Sequence, residues 1–156
     1  MNAREEAQRY LAVNRKARRD YEVAETVEAG IMLVGTEVKS LRAGHGTIAD
    51  AFAQEKNGEI FLMNARISEY PPAGKWNHVP MRVRKLLLHR KELGRLLGEV
   101  RQGGMTIVPL SLYLAPNGKV KVELALAKGR KAYDKRQAVK ARDWQRDKSR
   151  LLRDRG

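Results

Sequence analysis

Apolar and polar positions alternate with period two through much of the middle of the chain, and that pattern predicts strands. The run KVKVELALA (119–127) is the clearest case: Val120, Val122, Leu124 and Leu126 fall on one face, Lys119, Lys121 and Glu123 on the other. YEVAETV (21–27) is short and β-branched, and IMLVGTEVKSL (31–41) is apolar first and alternating afterwards, so both are expected as strands. Two Asn-Gly pairs, Asn57-Gly58 and Asn117-Gly118, sit between apolar-rich runs, where they predict hairpins. The first joins AFAQEK to EIFLMNARI, and the second joins MTIVPLSLYLA to KVKVELALA.

One segment changes period. In HRKELGRLLGEVRQGG (89–104), Leu93, Leu96, Leu97 and Val100 recur at i, i+3, i+4, i+7, the stripe of an amphipathic helix that Gly103-Gly104 would end. Gly94 and Gly98 inside it each cost about 1 kcal/mol relative to Ala, so close packing of the helix on a sheet is expected there. About six mostly antiparallel strands with one inserted helix predict a mainly β fold with flanking helices, an OB-like barrel closed or nearly closed on itself.

Charge alters this picture at the C-terminus. The chain carries 32 Lys and Arg against 18 Asp and Glu, a net of +14, and residues 128–156 alone hold twelve basic against four acidic side chains. A polyanion is the natural partner of such a tail. Nucleic acid suits it better than a membrane, because no wide apolar face accompanies the charge. From Lys131 to Arg155 there is neither Gly nor Pro, and Asp143 with Arg146 and Asp147 with Arg150 are helix-compatible pairs. The apolar stripe (Ala138, Ala141, Trp144, Leu151, Leu152) is thin, so a coil is expected in isolation and a helix of about 37 Å once docked. The division that follows is a barrel over 1–127 and a basic tail over 128–156.

Candidate chemistry is sparse. There is no Cys, which removes disulfides and thiol catalysis and fits a reducing, cytoplasmic setting. No apolar stretch approaches a membrane span, and MNAREEAQRYL lacks a signal peptide's apolar core. His45, His78 and His89 have no metal-ligand spacing and are expected at the surface or against RNA, and no phosphate loop or nucleophile elbow is present. Glu28, Glu37 and Asp50 could gather round a nuclease metal, but no spacing requires it. Cofactors and metals are therefore not expected, nor is an enzyme.

RNA contact has more support. NRKARRDY (14–21) offers Asn14 and Lys16 within a basic cluster, and MRVRKLLLHRKE (81–92) offers Arg82, Arg84, Lys85, Arg90 and Lys91 as phosphate partners. Tyr70, Trp76, Tyr133 and Trp144 stand in polar surroundings where a ring can stack on an unpaired base. GRKAYDKR (129–136) opens the tail with four basic residues around Tyr133.

EAGIMLVGTEVKSLRAG (28–44), RVRKLLLHRKEL (82–93), AKGRKAYDKR (127–136) and RDWQRDKSR (142–150) together resemble small protein B, the bacterial SsrA-binding protein family, from Asn14 to the C-terminus. The resemblance implies a non-enzymatic partner of transfer-messenger RNA in trans-translation, monomeric when free. It implies an OB-like barrel on the tRNA-like domain, the pair mimicking a tRNA. It implies arrival with elongation factor Tu and GTP at the A site of a stalled ribosome, and a tail that turns helical in the empty mRNA channel against 30S ribosomal RNA. By motif, Glu28, Leu87 and His89 fall at the RNA-contacting positions, with Asn14, Lys16, Arg84 and Lys85 beside them. Gly129, Lys131, Tyr133, Asp134, Lys135, Arg136, Trp144, Leu151 and Leu152 fall at those facing the decoding centre and mRNA channel. His89 stands where Asn is frequent in the family, and Tyr133 where His is common. A general tRNA-binding or ribosome-assembly protein with a basic tail is the alternative.

Overall fold

The computed structural model describes residues 9–129. In chain order the elements are β1 (Arg9–Val13), α1 (Ala17–Asp20), β2 (Tyr21–Ile31), α2 (Gly35–Arg42), β3 (Gly46–Thr47), β4 (Phe52–Lys56), β5 (Glu59–Met63) and β6 (Arg66–Ile67). A 3-10 turn (Pro71–Trp76), β7 (Arg84–Leu87), α3 (Arg90–Arg101), β8 (Thr106–Leu114) and β9 (Val120–Gly129) complete them. Six strands close a ring in the order β8-β4-β5-β7-β2-β9, and β9 returns to β8. Every pairing is antiparallel. β1 lies on β8 outside the ring, and β3 with β6 forms a small separate sheet. The mainly β, OB-like barrel read from the pattern is the fold found.

Both Asn-Gly pairs make hairpins, by different geometry. Asn57 and Gly58 have φ of 54° and 78°, the two positive angles that a two-residue loop between twisted strands requires. At the second, Leu114 pairs with Val120 across a longer loop in which Gly118 has φ 83°. There Asn117 Oδ1 accepts from the Lys119 N–H at 3.0 Å.

Val120, Val122, Leu124 and Leu126 are buried inside the barrel with Leu62, Leu96 and Leu112. The outer face of β9 is covered too at its far end: Ala125 packs with Ala17, Val108 and Leu110 beneath α1. Pro109 sits at an irregularity in the β8–β9 register, a place where a strand tolerates its missing N–H.

Two expectations are corrected. Residues 35–42 are a helix, where the alternation across 31–41 suggested a strand. In that stretch Val38 and Leu41 are three apart, a spacing a helix also satisfies, and Leu41 turns into the core. Glu37 fixes the start of α2 by accepting the Val34 N–H at 2.9 Å. The helix over 90–101 forms as read and ends at Gly103 and Gly104, with φ of 93° and 80°. Its Gly94 and Gly98, however, meet no packing: a Cβ at either position would find no atom within 4 Å. The last strand, β9, runs through Gly129.

Candidate nucleic-acid interface

β2 is the strand that assembles the site. On one edge it pairs with β7, Gly30 opposite Leu87, and on the other with β9, Glu28 opposite Glu123 and Gly30 opposite Lys121. α3 starts directly after β7, with His89 as its extended N-cap residue. These connections bring Glu28, Leu87 and His89, far apart in sequence, into one groove of about 560 Å³ with Lys119 and Lys121 on its wall. Gly30 keeps the floor low, since a Cβ there would come within 3.2 Å of Leu87 Cβ. Leu87 in turn is 48% exposed, an apolar surface the fold does not use.

Glu28 is not a free surface acid. Tyr113, buried in β8, donates its phenolic hydrogen to Glu28 Oε2, and Lys121 Nζ lies 4.0 Å from Oε1. Burial first, and then the bond to Glu28, push the Tyr113 phenol above the ordinary tyrosine range, so it remains a donor. Tyr10 closes on the Tyr113 ring edge-on, with centroids 6.3 Å apart. The outcome is a carboxylate with one oxygen tethered and the other beside a lysine. Such a group can accept from a base amino group or a ribose hydroxyl. Leu87 offers an apolar face for a sugar or base, and His89, Lys119 and Lys121 supply donors for phosphate.

Two residues expected at the RNA are corrected to structural roles. Arg84 is wholly buried: its Nε meets Glu37 Oε2 at 2.5 Å, Nη1 donates to Ala65 O at 2.8 Å and Nη2 to Pro80 O at 3.0 Å. A guanidinium so engaged is closed to phosphate. Asn14 is buried as well, with Nδ2 donating to Pro109 O at 3.0 Å and its own N–H to Leu110 O at 2.8 Å, which anchors the end of β1 to β8. Lys16 is exposed beside a separate cavity of about 340 Å³, and Lys85 is half-exposed in an ion pair with Glu59 at 3.0 Å.

His78 is buried rather than at the surface, its two ring nitrogens 2.8 Å from Thr36 Oγ1 and from Ile67 O. Glu28, Glu37 and Asp50 do not gather: Glu28 lines the groove, Glu37 is in the core, and Asp50 lines the cavity beside Lys16. Among the described residues no cluster of His, Asp and Glu could hold a metal ion. Gly129 ends β9 opposite Tyr21. Lys131, Tyr133, Asp134, Lys135, Arg136, Trp144, Leu151 and Leu152 lie outside the described residues.

Tyr113, Lys119, Lys121 and Gly30 are the site residues that sequence reasoning missed. Tyr113 sits in a near-continuous apolar run that reads as core, and the two lysines read as the solvent face of a strand. A closed antiparallel barrel with an acceptor, an apolar face and cations gathered in one groove is an OB-like, nucleic-acid-binding barrel. The family model described as SmpB protein matches residues 11–154. The chain is 57% identical over 152 residues to the SsrA-binding protein of Nitrobacter hamburgensis, spanning 97% of both chains. It is 55% identical over 146 residues to that of Afipia carboxidovorans, spanning 94% of this chain and 93% of the other. A solved chain from "tmRNA-SmpB: a journey to the center of the bacterial ribosome" superimposes with a TM-score of 0.64 at 52% identity, covering 76% of this chain and 82% of its own. The chain belongs to the SmpB protein family.

Proposed function

We propose that the protein binds transfer-messenger RNA in trans-translation and acts with it on the ribosome, and that the groove between β2, β7 and α3 takes the tRNA-like domain of that RNA. The observation that carries the assignment of the groove is the convergence of Glu28, Leu87 and His89 on one surface, with Tyr113 holding the carboxylate. Lys16, Lys85, Lys119 and Lys121 add charge that draws phosphate without choosing sequence. Residues 1–127 act as the RNA-binding barrel and 128–156 as the tail for the decoding centre and mRNA channel. The tail's excess charge suits a passage walled by RNA, and a message lying downstream of the A site would occupy that passage and exclude it. The protein performs no chemistry of its own, works in the cytoplasm, and reaches the ribosome with elongation factor Tu through the RNA. Among the described residues no helix is long and apolar enough to cross a membrane.

The test is a paired assay on the full chain and a version ending at Lys128. Both should bind purified transfer-messenger RNA with a steep salt dependence, while only the full chain supports tagging on a ribosome stalled at a message's 3′ end. Equal affinity for ordinary tRNA and transfer-messenger RNA would instead favour a general tRNA-binding barrel.

A further inference from the structure

Outside that groove, exposed apolar side chains collect in one place. Six of the nine large ones among the described residues, Met32, Val34, Trp76, Val79, Met81 and Val83, lie between β2 and α2 or from the end of the 3-10 turn up to β7. The two segments are tied together, because the Met32 N–H donates to Lys85 O at 2.9 Å and Arg82 Nη2 donates to Met32 O at 3.2 Å. A second groove of about 500 Å³ opens beside them. α2 divides it from the first: Val38 lines the groove of Glu28, whereas Thr36 and Lys39 line this one with Trp76, Asn77 and Arg82. A patch of this kind on a chain this polar marks a contact surface.

The turn that carries Trp76 is rigidly held. Asn77 Oδ1 accepts the Tyr70 N–H at 2.8 Å, and its Nδ2 donates to Tyr70 O at 2.8 Å and to Gly74 O at 3.1 Å. His78 pins the next residue to Thr36 and Ile67. Trp76 is nevertheless 79% exposed, the most exposed of the large apolar side chains. A ring carried on a held turn but left in water serves no packing purpose. Lys75 Nζ lies 5.4 Å from the Trp76 ring centroid, and Lys39 Nζ lies 5.8 Å from that of Tyr70. No carboxylate lines the groove, and Glu37, on the same helix as Thr36 and Lys39, is buried against Arg82 and Arg84.

We propose that this groove is a second RNA-binding surface, which takes an unpaired nucleotide with its base stacked on Trp76 and its flanking phosphates against Lys39 and Lys75. Stacking on an aromatic ring is open to every base, and two lysines at the rings supply the phosphate term. The absence of lining carboxylates favours a polyanion over a basic protein, and the preorganised turn lowers the ordering cost of binding. The surface operates independently of the groove that holds Glu28.

The chain has two tryptophans, so W144F leaves Trp76 as the sole indole reporter in an otherwise complete protein. A ten-nucleotide oligoadenylate should quench its fluorescence saturably at low salt. W76A, followed by filter binding, should weaken oligoadenylate binding about 5- to 150-fold, the span of a single base–aromatic stack. K39E/K75E should weaken it at least tenfold, while E28Q should leave it unchanged. The reciprocal pattern is expected for the tRNA-like domain of transfer-messenger RNA, which E28Q should weaken and W76A should not. Failure of the oligoadenylate arm alone would overturn the second surface and leave the first groove's assignment standing. Quenching by an acidic, leucine-rich peptide without quenching by oligoadenylate would likewise overturn it, in favour of a protein partner. Because Trp76 is exposed, W76A should melt at the wild-type temperature, and W76F should retain most of the oligoadenylate affinity.

Discussion

Arg84 Nε and Glu37 Oε2 meet at 2.5 Å with both side chains wholly excluded from solvent. Arg82 adds a second cation to the same carboxylate at 2.6 Å, and the Val34 N–H occupies it at 2.9 Å. This network joins the start of α2, which lines both grooves, to β7, which lines the groove of Glu28. Replacing Glu37 by Gln leaves Arg84 charged and unpaired in the core, so E37Q should cost about 3–5 kcal/mol of stability. Urea unfolding midpoints would measure it. A loss below about 1 kcal/mol would mean that water reaches Arg84 in solution.

The same network sets an acid limit on stability. Burial pushes the Glu37 carboxyl up, but hydrogen bonds from Arg82, the Val34 N–H and Arg84 together outweigh it and hold the group below its usual value of 4.5. A depressed folded-state pKa stabilises the protein fully above the unfolded value and ceases to do so as pH falls through the folded one. The stability gap between wild type and E37Q should therefore stay constant from pH 7 to about 5 and close below about 4.5. A gap that does not narrow at all between pH 4.5 and pH 2.5 would show that the carboxylate is not the ionised partner.

The proposed groove predicts that Tyr113 acts on RNA affinity through Glu28. Phe fits the same space, so Y113F releases the carboxylate without opening a cavity. Affinity for transfer-messenger RNA should fall roughly fivefold, the equivalent of about 1 kcal/mol for one hydrogen bond. The discriminating readout is the double variant: in the E28Q background, Y113F should add nothing. Additive losses would place Tyr113 in a purely structural role. Because the Tyr113 phenol is held above its ordinary range, the effect of Y113F on affinity should be the same at pH 7 and pH 9.

The barrel was legible because its signals are local. Asn57-Gly58 needs only its own two angles, and Val120 to Leu126 display their face within seven residues. α2 was not legible, since six residues from Thr36 to Leu41 satisfy both periods and the deciding contact, Glu37 with Arg84, spans 47 positions. For the same reason Arg84 and Asn14 read as RNA contacts: residue type reports charge or polarity, and burial depends on the partner strand. Glu28, Leu87 and His89 were named by motif, but their meeting in one groove follows from β2–β7 pairing that no local pattern contains.

Gly94 and Gly98 give a prediction in the opposite direction. Both lie within α3, neither has a positive φ, and a Cβ at each meets open space. Alanine should therefore stabilise the helix by about 0.8–1 kcal/mol at each position. Thermal unfolding of G94A/G98A should rise by several degrees, at roughly 2–4 °C per kcal/mol for a chain of this size. A lower melting temperature would mean that this face of α3 is covered in solution.

Gly30 tests the groove itself. It pairs with Leu87, and an added Cβ would lie 3.2 Å from Leu87 Cβ, close enough that the leucine must yield by a few tenths of an ångström. G30A should displace Leu87 slightly, whereas G30V should push it outward and raise the floor between Glu28 and His89. The strain is expected to cost about 1–3 kcal/mol for G30V and less for G30A, within what the barrel tolerates. Affinity for transfer-messenger RNA should fall in the order wild type, G30A, G30V, with the valine variant weakened about tenfold or more if that strain falls on the bound surface. Isothermal titration on folded protein, checked by its unfolding midpoint, would measure the series. Wild-type affinity in a folded G30V variant would place the RNA somewhere other than the surface that β2 and β7 build.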